Sequence, residues 1–600
     1  MNEKKKKGIA AGMMILLFVW YLGGFLSLFV GKGRISFSPF ICLKEALSLN
    51  GAGCMVLIAL MGSGVAAGIA MRGKEGIPGE DAERHFSYSA QGTYGTAGYM
   101  TRQEQKQILA LDQDVKQVDG IILGSDVETG AIISLPQNSP LNRNFAVCGS
   151  QGSMKSRAFA RNMILQCAKR GESMFLTDPK SELYEDTAHY LEENGYLVKQ
   201  YNLIRHECSD SWDCLAEIDG GLIDVFVDVV IRNTTDKFDH FYDNTEMDLL
   251  KALCLYVYHE YPEGRRNFAE CYKLLLHNSL DRLDAIFENL PVGHPARGPY
   301  QLFSKAEKVK GNAVLGLGTR LQIMQNDLIQ TLTSVPDIDL TLPGKQKCAY
   351  FCITSDQDST YDVLATLLVS FLFIKLVRVA DSQKDRKLPV PVYLILDEMP
   401  NIGIIPSFTK KLATARSRGI GVCMIYQNIP QLQNRYPDTQ WEELLGGCDT
   451  ALFLGCNDMT TATYFSDRSG EVTVGVSSTR KNFHTIRLTD YVPEYAESAS
   501  VGKRKLLLPD EILRFPLSEA LLVLRGQKVL RIKKYDYSKH PESLKFVPQK
   551  AEDHVPEWRK KREVEKEANE NGIREEEFRD VEEDKARNAG SEGVRLEDLL

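Results

Sequence analysis

The chain has 600 residues, of which 43% are apolar and 25% are charged, and its formal net charge is −8. This length exceeds what one domain needs, so two or three folded units of ordinary globular composition are expected. The negative charge argues against a surface broadly adapted to nucleic acid, so any DNA contact must be local. The thirteen cysteines lack paired C-x-x-C spacing, which argues against a zinc ribbon or a disulfide scaffold and favours reduced thiols in the cytosol.

Two uncharged segments near the N-terminus predict a membrane anchor. Residues 8–30 and 51–71 contain no charged side chain, and each can cross a hydrocarbon core of about 30 Å as a helix. Four lysines, Lys4 to Lys7, precede the first segment, so a secretory signal sequence is the alternative. The first apolar stretch is too long for a signal sequence and a second span follows it closely. Both spans together predict an anchor that returns the chain to the cytoplasm near Arg72.

The segment from Gly149 to Ser156 has the pattern of a phosphate-binding loop. Asn144 to Cys148 predicts a buried strand before it, and a helical pattern follows it as far as Gly171. Small residues let backbone N–H groups turn toward an anion, the lysine supplies a charge for the outer phosphates, and the serine hydroxyl can bind Mg²⁺. The predicted nucleotide-binding residues are Gly149, Ser150, Gln151, Gly152, Ser153, Met154, Lys155 and Ser156.

Met154 departs from the general pattern G-x-x-x-x-G-K-[ST], because it stands where the second glycine belongs. A residue with a Cβ atom is restricted in φ and brings a thioether close to the nucleotide. The loop alone therefore leaves open a chance Gly/Ser turn. We interpret the methionine as a variant of the motif because a second half of the site follows later in the chain.

That second half is an apolar run, Val392 to Leu396, which predicts a central strand ending in two carboxylates. Asp397 can hold Mg²⁺ through water, and Glu398 can polarise an attacking water molecule. Acidic pairs at strand ends also occur as helix caps. The loop and this strand, in this order, predict a site for ATP or GTP with Mg²⁺.

The chain between the two halves is longer than a compact nucleotide-binding core needs. The strand 173–177 ends at Asp178 and Lys180, which either contact the nucleotide or serve as a helix cap and a solvated charge. Residues 219–343 read as helical and predict an all-helical insertion. The strongly apolar segment from Tyr361 to Ala380 predicts a buried core helix, although its length also suits a third membrane span.

Beyond Glu398, a helix closed by Gly419 precedes a strand that ends at Gln427. A polar side chain at that strand end can report the loss of the γ-phosphate. Arg416 or Arg418 lies where a neighbouring subunit's nucleotide would be, and an arginine supplied across an interface can raise the rate about 10³- to 10⁵-fold. Ordinary surface arginines are the alternative reading.

These motifs together resemble the conjugative coupling proteins of type IV secretion systems, TraG/TraD-like, in the RecA/FtsK-type motor class. The resemblance extends from residue 1 to about 540, and beyond the two spans and the phosphate loop it rests on the segments Thr177 to Tyr184, Leu396 to Glu398, Gly455 to Asp458, Thr461 to Ser466, Leu508 to Ile512 and Leu524 to Lys528. It implies a membrane-anchored, hexamer-forming ATPase that takes relaxase-bound single-stranded DNA to the secretion channel. The implied location is the inner, or cytoplasmic, membrane, crossed more than once, with the ATPase domain in the cytoplasm.

The resemblance also implies roles for single residues. Lys155 and Ser156 would bind phosphate and Mg²⁺, and Asp397 and Glu398 would act in hydrolysis. Gln427 would sense the γ-phosphate. Arg416 is the better candidate for the arginine finger.

The expected fold is α/β: a RecA-like P-loop NTPase with a parallel central sheet, an inserted all-α domain and an N-terminal two-helix transmembrane anchor. The predicted boundaries are 1–72 for the anchor, 73–120 for a linker, 121–218 and 344–540 for the two parts of the nucleotide-binding domain, 219–343 for the helical insertion, and 541–600 for a charged tail that is disordered or an exposed helix.

A basic segment near the end of the resemblance can contact DNA or form a solvated hairpin, and the sequence leaves both readings open. Its residues are Arg480, Lys481, Phe483, His484 and Arg487. Two other functions also stay open: a membrane recruitment platform that binds nucleotide but hardly hydrolyses it, and an FtsK-type translocase of double-stranded DNA.

Overall fold

The computed structural model describes residues 18–31, 33–58, 80–81, 84, 86–89, 92–235, 239–482 and 494–566. The chain divides into two compact units, one formed by Met1–Thr96 with Glu471–Arg504 and the other by Ala97–Gly470 with Lys505–Leu600.

Strands and helices alternate through most of the described chain. The strands are β1 (Glu80–Asp81), β2 (Phe86–Ser87), β3 (Ala110–Asp112), β4 (Ile121–Ser125), β5 (Ile132–Leu135), β6 (Phe145–Cys148), β7 (Ser173–Asp178), β8 (Leu197–Asn202), β9 (Cys348–Ile353), β10 (Val392–Leu396), β11 (Ile420–Tyr426), β12 (Thr450–Phe453), β13 (Glu471–Asn482), β14 (Glu494–Lys505), β15 (Glu519–Leu524) and β16 (Leu530–Lys533). The α-helices are α1 (Phe18–Gly31), α2 (Pro39–Glu45), α3 (Leu49–Ile58), α4 (Arg102–Ile108), α5 (Arg161–Arg170), α6 (Glu182–Glu193), α7 (Ile223–Arg232), α8 (His240–Glu260), α9 (Phe268–Leu276), α10 (Leu280–Glu288), α11 (Arg297–Lys305), α12 (Lys310–Arg320), α13 (Asp327–Leu332), α14 (Asp362–Asp381), α15 (Phe408–Ala415), α16 (Ile429–Arg435), α17 (Gln440–Gly446), α18 (Met459–Ser469), α19 (Pro509–Leu513) and α20 (557–566).

The first unit contains the three N-terminal helices and two two-stranded sheets, the antiparallel pair β1 with β2 and the pair β13 with β14. Helix α1 lies within the first predicted span, and α2 and α3 meet at a bend of 98°. Residues 8–17 and 59–71 of the two predicted spans lie outside the described residues. The two-helix anchor therefore stays a prediction.

Within the described ranges, α14 is the one helix that is by itself long and apolar enough to cross a membrane. Helices α2 and α3 are long and apolar enough only when they are taken together. Of the most apolar 18-residue stretch of α14, 78% is buried inside the protein. The prediction of a core helix between Tyr361 and Ala380 is confirmed, because a membrane span would expose that surface to lipid.

The second unit is organised around a twelve-stranded sheet with the order β3-β5-β4-β16-β15-β12-β6-β11-β10-β7-β9-β8. The strands from β12 to β8 in this order run parallel, and the rest pair antiparallel. Every residue of β6, β7, β9, β10 and β11 is buried. Continuous apolar runs form such strands because both faces of a parallel sheet are covered.

Four parallel strands end side by side at the functional edge of the sheet. Cys148 of β6 is opposite Tyr426 of β11. Leu396 of β10 is opposite Met424 on one side and Thr177 of β7 on the other. The loops that follow β6, β11, β10 and β7 therefore meet at one edge, where ligands of parallel α/β sheets bind.

The sheet extends beyond the predicted start of the nucleotide-binding domain at residue 121. Helix α4 begins at a capping box of Thr101 and Glu104, and β3 follows it and pairs with β5. Both elements lie in the segment predicted as a linker. A three-residue strand is too short to show a period of two, so its pairing partner could not be read from the sequence.

Every regular element described between β8 and β9 is helical, from a 3₁₀ helix at His206–Cys208 through α13 to another at Leu342–Gly344. The apolar side of α8, which includes Leu249, Leu253 and Val257, is fully buried. Burial of this stripe against neighbouring helices is what stabilises an amphipathic helix.

One loop connects this helical region to the end of β10. The side chain of Asn233 pairs with Ile404 in both directions: the Ile404 N–H donates to Asn233 Oδ1 at 2.6 Å, and Asn233 Nδ2 donates to the Ile404 carbonyl at 3.1 Å. The preceding residue, Gly403, has φ of +109°, and a Cβ there would lie 2.5 Å from Asn233 Oδ1. Only glycine fits this close approach.

The predicted charged tail is folded as far as residue 566. Gln200 Nε2 donates to the Ala551 carbonyl at 2.9 Å, and Trp558 Nε1 donates to the Ser209 carbonyl at 2.7 Å. His554 lies 3.1 Å from an oxygen of Asp210. A few buried side chains in a charge-rich segment are enough to dock it, and averaged composition conceals them. The boundary at residue 541 was therefore placed too early, and residues 567–600 lie outside the described residues.

Replacing Trp558 with alanine is expected to lower the free energy of unfolding by about 3 kcal/mol, because the indole is buried. Replacing it with phenylalanine keeps most of the packing and should cost about 1 kcal/mol, the value of the lost hydrogen bond. Urea unfolding of the two variants measures both values. Equal and negligible effects would show that the segment does not dock.

Candidate functional site

The phosphate-binding loop connects β6 to a helix that begins with a π-helical turn at Lys155–Ala160 and continues as α5. Neighbouring strand ends hold its first residues, since the Gly149 N–H donates to the Tyr426 carbonyl at 3.0 Å and the Ser150 N–H donates to the Gly455 carbonyl at 2.9 Å. Gly171 has φ of +67° and ends α5, as predicted. The loop is thus part of the sheet edge.

Met154 adopts the left-handed conformation, with φ of +72° and ψ of +25°. Glycine adopts this conformation freely, and other L-residues pay about 1–2 kcal/mol for it. The backbone therefore follows the path that a glycine-containing loop takes, and the departure from the motif costs strain without changing that path.

The ammonium of Lys155 lies inside the loop, where it donates to the Gly149 carbonyl at 2.8 Å and to the Ser150 carbonyl at 3.4 Å. Burial lowers the pKa of Lys155, while the nearby carboxylates of Asp397 and Glu398 act in the opposite direction. The fold has therefore brought the two predicted halves of the site within electrostatic reach of each other.

These residues surround a cavity of about 240 Å³. Its lining includes the loop from Gln151 to Ser156, the pair Asp397 and Glu398, and Asp178 with Lys180 from the end of β7. Gly149, Ser150, Gln427 and Arg416 do not line it. The sequence prediction thus included most of the residues that line this cavity.

Asp397 ends β10 and is 8% exposed. Burial raises the pKa of its carboxyl to about 6, the charge of Lys155 opposes the rise, and Glu398 adds to it. Thr177 Oγ1 donates to the Asp397 carbonyl at 2.8 Å. A buried carboxylate beside one lysine is a good ligand for a divalent cation.

Asp178 serves as a cap, which was one of its two predicted roles. Its Oδ2 accepts a hydrogen bond of 2.8 Å from the Tyr184 N–H in the first turn of α6. Burial raises the pKa of Asp178 to about 7, and Asp397 contributes to the rise. Lys180 is exposed at the cavity.

Glu398 follows Asp397 with φ of +50°, and its carboxylate points to the end of β11. Gln427 Nε2 donates to Glu398 Oε1 at 2.8 Å. The carboxylate and the predicted γ-phosphate sensor are therefore in direct contact, although Gln427 does not itself line the cavity.

The two predicted finger candidates differ in their contacts. Arg418 pairs with Asp381, with Nε 2.9 Å from Oδ1. Arg416 is exposed, and its Nη2 donates to the Pro140 carbonyl at 2.8 Å. In the described chain no carboxylate pairs with Arg416, so its charge stays available at the surface.

The basic segment considered for DNA contact is only partly described. Arg480 and Lys481 belong to β13, and Phe483, His484 and Arg487 lie outside the described residues. Both readings of that segment remain open.

Sequence reasoning missed Lys534, which lies behind the phosphate-binding loop and is 7% exposed. Its Nζ donates to the Ser153 carbonyl at 3.0 Å and to the Leu454 carbonyl at 2.6 Å. Burial lowers its pKa to about 8. Nothing local marks this lysine, because its partners are distant in sequence.

Arg161, also missed, is 6% exposed and lines the cavity. Its Nε donates to Asp186 Oδ2 at 2.7 Å, which links α5 to α6. An arginine at the sixth position after Lys155 looks like any helical arginine in the sequence.

Replacing Lys534 with methionine is expected to weaken ATP binding about 10-fold, because the Ser153 carbonyl loses a charged donor that stabilises the loop by roughly 1.5–3 kcal/mol. Isothermal titration with ATP and Mg²⁺ measures the change. Lys528→Met, which removes a lysine paired with Glu104 at 2.9 Å on the surface, is the control. Unchanged affinity in Lys534→Met would contradict a role in holding the loop.

Comparison of the wild type with Lys534→Met also tests how the free energy of unfolding depends on pH. Because burial lowers the pKa of Lys534 from 10.5 to about 8, the native protein binds fewer protons than the unfolded chain between these two values. The free energy of unfolding of the wild type should therefore rise with pH in this window relative to Lys534→Met.

The cavity has the chemistry that a magnesium-bound triphosphate requires. Lys155, Lys180 and Arg157 supply positive charge, and Asp397 supplies a carboxylate for the cation. The buried hydroxyl of Ser153 has no hydrogen-bond partner among the described residues. A polar ligand in the loop would give it one.

Comparison with known proteins shows the family to which the chain belongs. Residues 102–569, most of the chain, match the family described as type IV secretory system conjugative DNA transfer. The VirD4 coupling protein of the type IV secretion system of Bartonella quintana is 24% identical over 199 residues, which cover 32% of this chain and 29% of VirD4. The conjugal transfer protein TraG of Rhizobium radiobacter is 28% identical over 141 residues, covering 23% of this chain and 21% of TraG. The chain thus spans less than a third of each of these curated relatives.

Solved structures of the bacterial conjugative coupling protein TrwB share the fold. The unbound form lacking 70 N-terminal residues aligns with a TM-score of 0.52 and 16% identity, covering 77% of this chain and all of that one. The complex of TrwB with ADP and Mg²⁺ aligns with the same TM-score and 15% identity, covering 76% of this chain and all of that one. The chain therefore has the α/β fold of TrwB, with a mostly parallel central sheet. The chain belongs to the conjugative DNA transfer family of type IV secretion, the family of conjugative coupling proteins.

Proposed function

We propose that the protein is a membrane-anchored ATPase that recruits relaxase-bound single-stranded DNA and drives or licenses its transfer through a type IV secretion channel. The observation that carries the proposal is the meeting of the phosphate-binding loop, Gln427 and the pair Asp397 and Glu398 at one edge of one sheet. A loop of the phosphate-binding pattern beside two strand-end carboxylates is the arrangement that a nucleotide site at this edge of the sheet requires.

Each residue then has a role in hydrolysis. The loop from Gln151 to Met154, with Lys155, binds the phosphates, and Ser156 and Asp397 would hold Mg²⁺, which would neutralise charge on the phosphates. Glu398 accepts a proton from the attacking water. Gln427 contacts Glu398 and can move to the γ-phosphate, and Arg416 completes the site of a neighbouring subunit.

The wider function follows family membership. Coupling proteins work at the membrane, so the predicted spans 8–30 and 51–71 would hold the ATPase at the inner membrane with its site in the cytoplasm. The helical region between β8 and β9 would be an inserted domain that engages the DNA-processing complex. The family resemblance implies a homo-hexamer, in which the exposed Arg416 would face the nucleotide of a neighbouring subunit.

Phosphate release tests the proposal. The full chain, extracted in detergent, should hydrolyse ATP faster when single-stranded DNA is added, and Lys155→Ala should abolish that activity. The number of subunits per particle, measured with and without DNA by mass photometry, tests the hexamer. Equal rates in wild type and Lys155→Ala would overturn the assignment.

Met154 is the feature that favours a recruitment platform with little hydrolysis. Because its backbone already has the conformation of glycine, Met154→Gly should change the hydrolysis rate by less than about 10-fold. Stability should change by about 1 kcal/mol or less, because the larger backbone entropy of glycine in the unfolded chain offsets much of the relieved strain. Steady-state kinetics and thermal melting measure the two quantities. A large gain in turnover without a change in DNA transfer would favour the platform.

An FtsK-type translocase predicts a winged-helix domain at the C-terminal end. Residues 541–566 instead form short 3₁₀ helices and α20 docked on the sheet unit. Within the described chain, this segment gives the translocase no support.

A further inference from the structure

The carboxylate of Glu398 is held at both oxygens by side-chain amides. Gln427 Nε2 donates to Oε1 at 2.8 Å, and Asn401 Nδ2 donates to Oε2 at 3.1 Å. The two amides come from different elements, the end of β11 and the 3₁₀ turn Met399–Asn401. Asn401 belongs to none of the sequence motifs described above.

The turn that carries Asn401 is fixed by its backbone. The Asn401 N–H donates to the Glu398 carbonyl at 2.8 Å, so main chain and side chain of Asn401 bind the same residue. Arg435 Nε donates to the Pro400 carbonyl at 2.7 Å and holds the turn from the other side. The backbone that carries Asn401 is therefore held by contacts that do not involve Gln427.

We propose that Asn401 is a positioning residue that keeps Glu398 oriented toward the attacking water while Gln427 exchanges its hydrogen bond between the carboxylate and the terminal phosphate. The inference rests on the proposed hydrolysis of ATP. A neutral amide orients a carboxylate without neutralising it, so Glu398 stays available as a base. Because Glu398 accepts hydrogen bonds from two donors, the bond from Gln427 can break while the bond from Asn401 still prevents rotation of the Glu398 side chain. With Gln427 alone, the sensor's movement would release the base.

The expected effect is on the chemical step. Asn401→Ala should lower kcat about 10- to 100-fold, because a misplaced base is inefficient and a hydrogen bond to a charged group is lost. The KM for ATP should stay within about 2-fold, since Asn401 binds Glu398 and not the nucleotide. Asn401→Asp keeps the shape but places a second carboxylate beside Glu398, so its kcat should fall further than that of Asn401→Ala.

The test is steady-state ATP hydrolysis by the full chain in detergent, with each variant also built on Glu398→Gln. If Asn401 acts through Glu398, Asn401→Ala lowers the residual rate of Glu398→Gln by less than 2-fold. Asn278→Ala, which removes an amide that donates to the Leu274 carbonyl in the helical region, is the matched control. It should leave kcat unchanged.

Three results would overturn the inference: a kcat of Asn401→Ala equal to wild type, a raised KM with unchanged kcat, or an equal loss in the Glu398→Gln background. Thermal melting shows whether a variant is folded. If Asn401→Ala does not fold, the isosteric variant Asn401→Asp takes its place in the test. A wild-type chain without hydrolysis would overturn the proposed function and this inference together. An active wild type with an unaffected Asn401→Ala overturns only this inference.

Discussion

Changing Glu398 to glutamine is expected to slow ATP hydrolysis by about 10²- to 10⁴-fold, the contribution of a well-placed general base. The amide keeps the size of the side chain but cannot accept a proton from water. ATP should bind with nearly wild-type affinity, because the proposed phosphate contacts come from the loop from Gln151 to Ser156, which follows a different strand, β6. Single-turnover hydrolysis and equilibrium binding of ATP measure the two effects separately.

A matched change elsewhere in the cavity controls for loss of charge. Glu182 also lines the cavity, and its carboxylate lies 3.7 Å from Nη2 of Arg161. Because Glu182 is more than half exposed, the change Glu182→Gln should alter the rate by less than about 3-fold. Equal losses from Glu398→Gln and Glu182→Gln would contradict the assignment of Glu398 as the base.

Changing Arg416 to alanine is expected to reduce hydrolysis by about 10³- to 10⁵-fold, the range found for arginine fingers. If the proposed finger acts on a neighbouring subunit, the defect should be complemented in mixtures. Arg416→Ala and Lys155→Ala should each be inactive alone. A mixture should regain activity at interfaces where one subunit supplies Lys155 and the other supplies Arg416.

Arg418→Ala is the control for this experiment. Its guanidinium pairs with Asp381 at the surface, and an exposed ion pair contributes about 1 kcal/mol or less to stability. Hydrolysis by Arg418→Ala should therefore stay near the wild-type rate. If Arg418→Ala is inactive and Arg416→Ala is active, the finger has been assigned to the wrong arginine.

The sequence predicted the centre of the sheet because its strands are short apolar runs that end in chemically distinctive residues. Val392 to Leu396 followed by two carboxylates, and a small-residue loop closed by Lys155 and Ser156, each have another interpretation when taken alone, but together and in this order they predict a nucleotide site. Helix α14 was separable from a membrane span because charged residues flank it. Local patterns were sufficient wherever the functional group and its supporting strand are adjacent in the chain.

The sequence did not predict contacts between a side chain and a partner that is distant along the chain. Lys534 reaches the carbonyl of Ser153, and Asn401 is a single amide in a loop without periodicity. The docked segment ending at Trp558 was hidden for a related reason, because its many charges face solvent and its few buried groups bind β8 and its neighbours. Long-range contacts of this kind leave no periodic trace in one sequence.

The paired hydrogen bonds between Asn233 and Ile404 have a mechanical consequence. One short stretch of chain runs from the turn of Asn401 through Gly403 and Ile404 to α15, which carries Arg416 at its end. Gly403 and Ile404 are tied to Asn233, the residue that follows α7, and lead on to α15, so a movement of residues 403–404 would reach both helices. Coupling between two binding equilibria is reciprocal, so a ligand that binds the helical region and shifts this loop would change the affinity for ATP by the same factor by which ATP changes the affinity for that ligand.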